Sequence, residues 1–399
     1  MEPVRPLTAL APAGLAEFCK ARELPAYRAR QIWKWVWQKG ATDYAAMSDL
    51  PKELRERLGR ELPVVSLVEK SVRRSAQDGT VKALLSAAGG RHIEAVGMPD
   101  EETGKLSVCV STQVGCGMGC AFCASAVGGL KGNLRYWEIL DQVLILSRLS
   151  GSRATSVVLM GMGEPLANYD NSLAAVKRLV APDGFGLGAR HVTVSTVGLA
   201  PQMLKMPKEW PPVNLAVSLH APTDELRRQI VPMARKWSIA EVLEAAGAWA
   251  AHTGRRYTVE YALIEGLNAG RAQAEELAAL LRRRPAKVNL IALNPGGAGT
   301  FAAPGEAKVR AFRDVLAGHG LEVIIRRRRG RDIEAACGQL RLREEGETQR
   351  TRRNAEDAEK NGHSPQMNTD GRRYSKSNNN GGIEPPRRQG RQGRQERSN

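Results

Sequence analysis

The sequence predicts an α/β fold: a partial (βα)6 barrel behind an N-terminal all-helical accessory domain and ahead of a disordered C-terminal tail. Three observations carry this. Six short β-branched or apolar runs recur between residues 106 and 293. Helical stretches separate most of them. After about residue 346, large apolar residues almost disappear. Strands that alternate with helices form a mostly parallel sheet with right-handed crossovers. With this many units, a barrel or partial barrel is favoured over an open doubly wound sheet.

The first ~85 residues read as helical, giving an accessory domain over 1–85. In ARQIWKWVWQKG, Ile32, Trp33 and Val36 fall at helical spacing with Trp37 adjoining, and Arg and Lys lie between them. A second helical run, KELRERLGREL, follows Ser48 and Pro51. Trp33, Trp35 and Trp37 could stack on bases, but aromatics at this spacing usually serve a core.

The catalytic domain is taken as 86–345. Its expected strands are LSVCVS (106–111), SVVLMG (156–161), HVTVST (191–196), NLAVSL (214–219), YTVEYAL (257–263) and KVNLIAL (287–293). LRYWEILDQVLILSRL, IAEVLEAAGAWAAHTG and GRAQAEELAALLRRR are the clearest helices between them. A further strand, LEVIIRR, and a short helix from Ile333 to Leu340 are expected to close the domain. The tail, 346–399, is rich in Asn, Gln, Gly, Arg and Ser, and cannot bury enough surface to offset chain entropy.

The chain has 399 residues, 42% hydrophobic and 25% charged, which suits a soluble protein with a real core. No apolar run approaches the roughly 18 residues of a membrane span. The N-terminus lacks a secretory pattern, so a cytoplasmic setting is expected. There, six cysteines serve as reduced, metal-bound or catalytic thiols more readily than as a disulfide framework. The formal net charge of +17 suggests a polyanionic partner, most simply nucleic acid. From Glu345 onward, 12 Lys+Arg face 8 Asp+Glu, so most of the excess belongs to the body of the protein.

Three cysteines, Cys116, Cys120 and Cys123, crowd into GCGMGCAFCAS. Thiolates are soft ligands that select zinc or iron–sulfur clusters. Structural zinc wants four ligands, usually as two distant pairs, and this C-x3-C-x2-C loop has no partner pair. A four-iron cluster held by three thiolates leaves one iron open to a chelating ligand. The loop also follows a strand, at the sheet end where α/β proteins place active sites. The spacing therefore points to radical S-adenosylmethionine (SAM) chemistry, with a zinc site or incidental core thiols as the alternatives. Gly163 and Glu164 in LMGMGEPL, Ser195 in VSTVG, Ser218, Leu219 and His220 in AVSLHAP, and Asn294 in LIALNPGG fall at the remaining strand ends. Each alone is an ordinary turn former; their convergence with the cysteine loop is not explained by turns.

VCVSTQVGCGMGCAFC, LMGMGEPL, VSLHAP and DIEAACGQL together resemble the radical SAM methyltransferases of adenine in 23S ribosomal RNA, and within them the dual-specificity adenine-C2 group that also acts on tRNA. The resemblance runs from the N-terminal helices to about Leu340. It implies a radical SAM barrel whose Cys116, Cys120 and Cys123 hold a [4Fe-4S] cluster, and whose Gly163, Glu164, Ser195, Ser218, Leu219, His220 and Asn294 hold SAM. It further implies that Cys337 carries the methyl group, that Cys109 is the second catalytic cysteine, and that Glu94, in HIEAVGMP, accepts the ring proton. The implied partners are 23S rRNA, tRNA and an electron donor such as flavodoxin or ferredoxin; a monomer is the simplest assembly.

Adenine C2 has no acidic proton and no nucleophilic lone pair, so direct methyl displacement lacks an acceptor. The resemblance implies a radical route: Cys337 is methylated by one SAM, and a 5′-deoxyadenosyl radical from a second abstracts hydrogen from that methyl. The carbon radical then adds to the ring, and attack by Cys109 on Cys337 frees the product and leaves a disulfide. The base must be splayed out of its RNA, and the basic runs at 282–284 and 326–331 could offset that through phosphate contacts. Methylation at C8, a non-catalytic iron–sulfur RNA-binding protein, and a glycyl-radical activating enzyme remain as rival readings.

Overall fold

The computed structural model describes residues 5–294 and 300–340. The expected disordered tail lies outside the described residues. Three helices open the chain: α1 (Pro12–Lys20), α2 (Tyr27–Trp37) and α3 (Lys52–Glu61), the last started by Pro51. Ile32, Val36 and Trp37 of α2 are fully buried, and Trp33 and Trp35 pack partly buried against the same core. The tryptophans thus do core work. Each fully buried Ile or Val side chain contributes roughly 1.5–3 kcal/mol.

Helix ends at Glu61, not near residue 85. Residues Val68–Arg74 (β1) and Val81–Ala87 (β2) form an antiparallel hairpin, so the expected boundary at 85 falls inside a strand. The overlooked signal is Asp78-Gly79, a turn dipeptide between two strand-forming runs. Gly79 has φ +66°, and the Ser75 N–H donates to the Thr80 carbonyl across the turn. β3 (Arg91–Asp100) pairs antiparallel with β2 and with β4 (Lys105–Cys109).

From β4 onward every neighbouring pair in the main sheet is parallel. After a small hairpin, β5 (Gln113–Gly115) and β6 (Leu130–Asn133), come α4 (Tyr136–Leu149), β7 (Ser156–Leu159), α5 (Tyr169–Val180), β8 (Val192–Thr196) and α6 (Ala200–Glu209). β9 (Asn214–Ser218), α7 (Asp224–Ile230), α8 (Ile239–Thr253), β10 (Tyr257–Leu263) and α9 (Arg271–Leu281) follow. β11 (Ala286–Ala292), α10 (Glu306–Gly318) and β12 (Val323–Ile325) complete the barrel. The strand order is β1-β2-β3-β4-β7-β8-β9-β10-β11-β12, a partial barrel extended by an antiparallel wing. All seven strands expected from the sequence are present. Among the described residues, no helix is long and apolar enough to cross a membrane.

The opening helices and the barrel share one hydrophobic core, which runs from Leu7 to Leu340. Asp141 of α4 ties them together beneath it. Fully buried, it accepts from Thr8 Oγ1 at 2.7 Å and from the Ser66 N–H, Ser66 Oγ and Leu67 N–H at 2.7, 2.8 and 3.3 Å. Burial pushes its carboxyl up to about 6 despite those four donors. Three residues are thus anchored by one acceptor that apolar packing cannot replace. Asp141→Ala should lower unfolding free energy by about 3 kcal/mol, because the buried Ser66 and Leu67 N–H groups lose their acceptor. A urea midpoint unchanged from the parent protein would refute that anchoring role.

Candidate active site

Parallel strands place all their C-terminal ends at one rim, and the loops there border a cavity open to solvent, about 980 Å³ with the solvent at its mouth included. Cys116, Cys120 and Cys123 line it from the loop between β5 and β6. Gly115 opens that loop at φ +73°, and a Cβ there would lie 2.1 Å from the Gly129 carbonyl oxygen, so only glycine lets the hairpin close. Gln142 of α4 pins the approach: its Oε1 accepts from the Ser111 N–H at 2.7 Å and its Nε2 donates back to the Ser111 carbonyl at 2.9 Å.

Burial pushes the Cys116 thiol up to about 11 and raises Cys120 and Cys123 as well. The neighbouring thiols add repulsion at Cys120. Three soft donors of this kind fit a metal centre, whose positive charge can displace all three protons. Among the described residues, no three His, Cys, Asp or Glu side chains converge as a single ion requires. A four-iron cluster asks for something different, one thiolate at each of three separate irons.

The other strand ends face the same space. Gly163 stands at φ +100° with its Cα against Gln113, where a Cβ would approach Gln113 Cβ to 2.5 Å. Glu164 is 2% exposed, and burial pushes its carboxyl up to about 7. Its Oε2 accepts from the Val197 N–H at 2.9 Å and its Oε1 from the Leu166 N–H at 3.0 Å. Ser195, Ser218, His220 and Asn294 also line the cavity. His220 is held at φ +62°, and its Nδ1 accepts from the Ala262 N–H at 3.0 Å. That bond assigns the remaining ring proton to Nε2, while burial drives the imidazole down to about 3 and keeps it neutral. Leu219 is the exception. Its side chain is fully buried in the core, its N–H donates to the Glu260 carbonyl, and its own carbonyl accepts from Arg227.

A second cavity, of about 710 Å³, adjoins the first. Cys109 lines it, and Cys337 lines both, standing in their common wall. No disulfide joins them; all six cysteines are free. Burial, and then Cys337, push the Cys109 thiol up to about 12, while Arg326 pulls it down. The expected helix at 333–340 is replaced by a 3-10 turn at Arg331–Ile333 followed by irregular chain. Glu334 takes φ +54°, which breaks helical propagation and turns Cys337 toward the cavities. Three hydrogen bonds fix this loop from the site side: Ala124 N–H to the Gly338 carbonyl (2.8 Å), Ser125 Oγ to the Leu340 carbonyl (2.6 Å) and Asn294 Nδ2 to the Cys337 carbonyl (3.1 Å).

The antiparallel wing fixes it from behind. Ser75 Oγ and the Ala76 N–H donate to Asp332, and the Gly330 N–H donates to Asp78. Lys82 Nζ donates to the Glu334 carbonyl at 3.0 Å and pairs with Glu94 Oε1 at 2.8 Å. Glu94 is 4% exposed and lies outside both cavity linings. It does share a sheet face with Val96, which pairs with Cys109, so it stands one step from the second cavity.

Two known-protein models match the chain: the ribosomal RNA large subunit methyltransferase N-terminal domain over residues 6–64 and the radical SAM superfamily over residues 110–281. A probable dual-specificity RNA methyltransferase RlmN from Symbiobacterium thermophilum is 45% identical over 342 residues, 85% of this chain and 92% of that protein. Its counterpart from Pelotomaculum thermopropionicum is 46% identical over 331 residues, 82% of this chain and 89% of that one. The chain belongs to the RlmN family of radical SAM RNA methyltransferases. The crystal structure of a radical SAM methyltransferase from Sphaerobacter thermophilus, 43% identical, superposes with a TM-score of 0.79 and covers 84% of this chain and 99% of its own. A [4Fe-4S] cluster and SAM are the cofactors of this family, and the thiol loop and its neighbouring cavity suit them.

Several residues of this RlmN-family site escaped the sequence reading. Arg326 belongs to a basic run whose sequence suits phosphate contact, yet it lines both cavities, 3.8 Å from Glu260 and facing the Cys109 and Cys337 thiols. Arg328 and Arg329 donate to the Leu293 and Pro99 carbonyls, leaving Arg327 exposed. The 282–284 run lies between α9 and β11, at the end of the barrel opposite the cavity. Glu260 and Lys82 sit inside strand patterns that gave no sign of their burial. Lys82→Met should cost about 3–5 kcal/mol by removing the buried cation that pairs with the Glu94 carboxylate, and adding Glu94→Gln should recover a large part. Denaturation of the four-member cycle measures this, and strictly additive losses would show the pair contributes nothing.

Proposed function

We propose that this chain methylates C2 of an adenine in 23S rRNA, and C2 of an adenine in tRNA, with Cys337 as methyl carrier and Cys109 as the thiol that releases product. The observation that carries this is the position of Cys337 in the wall between two cavities, one with the three-thiol loop and one with Cys109. A carrier must meet a methyl source and radical on one side and its acceptor on the other, and a cysteine in a shared wall does both. The relatives' dual specificity for RNA, and the match to a ribosomal RNA large subunit methyltransferase N-terminal domain, support two kinds of RNA substrate.

In this reading Cys116, Cys120 and Cys123 hold the cluster, which with SAM bound supplies the electron that generates a 5′-deoxyadenosyl radical. Gly163, Glu164, Ser195, Ser218, His220 and Asn294 hold SAM, and Leu219 shapes the strand end behind them. Gly163 offers backbone at close range, Glu164 a carboxylate for an ammonium group, and His220 a fixed Nε2–H donor. The target base enters the second cavity beside Arg327, the open member of the arginine run. Unstacking it costs a few kcal/mol.

Once the Cys337 methylene is bonded to the ring, the adduct would return its unpaired electron to the oxidised cluster and Glu94 would take the ring proton. The Cys109 thiolate attacks the Cys337 sulfur, the sulfur–methylene bond breaks, and its electron pair stays with the carbon, which takes up a proton to become the methyl group. The resulting disulfide takes two electrons from a thiol reductant to reopen. Arg326 is placed to stabilise the thiolates this exchange needs, since burial otherwise holds Cys109 neutral. An electron donor of the flavodoxin or ferredoxin type, the three opening helices as an RNA-facing accessory region and a monomeric assembly complete the reading.

Cys337→Ala should abolish methylated RNA while iron content is unchanged; product at the parental rate would exclude the carrier role. Cys109→Ala should leave RNA covalently bound to protein, seen as a slow band on denaturing gels. Mass spectrometry of digested rRNA should give 2-methyladenosine, whereas 8-methyladenosine alone would move the assignment to C8.

A further inference from the structure

Arg227 is a charged residue with no assigned task. It lies on α7, fully buried, directly behind the strand ends that line the first cavity. Its Nε donates to the Leu219 carbonyl at 3.1 Å, and its Nη2 to the Val197 and Ser218 carbonyls at 2.5 and 3.3 Å. Its Nη1 has no hydrogen-bond partner. Among the described residues, no carboxylate comes within 4.0 Å of the guanidinium. Asp224, one turn earlier, is occupied by the Ile239 N–H at 2.8 Å. A buried cation held chiefly by carbonyl dipoles, with Asp224 acting only at longer range, is costly, because these do not repay its lost hydration in full.

The missing countercharge is across the α7 interface. Cys120 packs in a small apolar cluster with Ile230 and Val231, with Leu226 against it, so the residues flanking Arg227 on α7 touch this thiol's surroundings. The Ala121 N–H donates to the Ile230 carbonyl at 2.9 Å, fastening the cysteine loop to the helix. The guanidinium and the Cys120 sulfur are close enough to interact electrostatically. Burial lowers the guanidinium only to about 10, so it is cationic at neutral pH.

We propose that Arg227 is the buried counterion of the cluster: its guanidinium, unpaired by any carboxylate, is completed electrostatically by the cluster anion at Cys120 and sets the cluster's reduction potential. This rests on ligation by Cys116, Cys120 and Cys123. Reduction adds one electron, and hence one negative charge, to the cluster, with no bond made or broken. A fixed positive charge in a low-dielectric surrounding stabilises the reduced form more than the oxidised form. Removing it makes the potential more negative. Arg227 is thus a positioning and tuning residue that acts through the cluster, not on the substrate.

The test is a redox titration of the reconstituted full-length chain under anaerobic conditions, with dithionite as reductant and the electron paramagnetic resonance signal of the reduced cluster as readout. Iron is counted in each sample. Arg227→Gln keeps hydrogen-bonding capacity and loses charge. Its one-electron reduction constant should fall at least tenfold, which is about 59 mV. Arg227→Lys keeps the charge and loses the fork, and should stay within about threefold of the parent. A Gln variant with full iron and a midpoint within threefold of the parent overturns the proposal. Should the Gln variant fail to hold iron, the Lys variant decides: a midpoint near the parent supports the charge role, and a tenfold shift overturns it. A parent chain that binds no iron removes the ligation reading itself, and the iron count distinguishes that failure from the other.

Discussion

The site depends on one short contact between two loops, the hydrogen bond from the Ala124 N–H to the Gly338 carbonyl. Cys123 precedes the first residue and Cys337 precedes the second. A single backbone pairing therefore sets how far the methyl-carrying candidate stands from the thiol loop. Neither loop could hold its position unaided, since each consists of turns and irregular chain. Ser125 and Asn294 repeat the constraint at neighbouring carbonyls, so the loop is over-determined from the barrel side.

Constraint from one side would leave the loop free to swing away, and the antiparallel wing prevents this. Asp332, Gly330 and Glu334 are each held by residues of the β1–β2 hairpin. Lys82 is the most economical member, because it binds a loop carbonyl and the Glu94 carboxylate together. The wing is thus more than an extension of the sheet edge. A chemistry that changes the length and charge of one side chain during turnover needs its backbone fixed, and tolerates movement only in the side chain itself.

Charge is distributed with equal economy. The three thiols and Glu164 are all pushed toward their neutral forms by burial. Arg227 is the cation behind the strand ends that interacts with Cys120, whereas Arg326 pairs with Glu260 and faces Cys109 and Cys337. A cluster would ionise the three loop thiols, so folding of this region and metal loading are expected to reinforce each other.

The strands, their order of use and the thiol loop were legible from residue types alone, because a parallel barrel repeats one local pattern and C-x3-C-x2-C needs no partner elsewhere. The Asp78-Gly79 hairpin was legible too, though helical periodicity nearby masked it. Other features belong to tertiary structure. A Lys in an alternating strand looks solvated until the loop that covers it is in place, and four consecutive arginines look alike until the β12 exit turns Arg326 inward. The shared wall at Cys337 arises only when residues more than 200 positions apart in sequence meet. Local composition records what each residue can do; the closing of the sheet decides which of them meet, since burial and countercharge are properties of neighbours that the chain brings together only on folding.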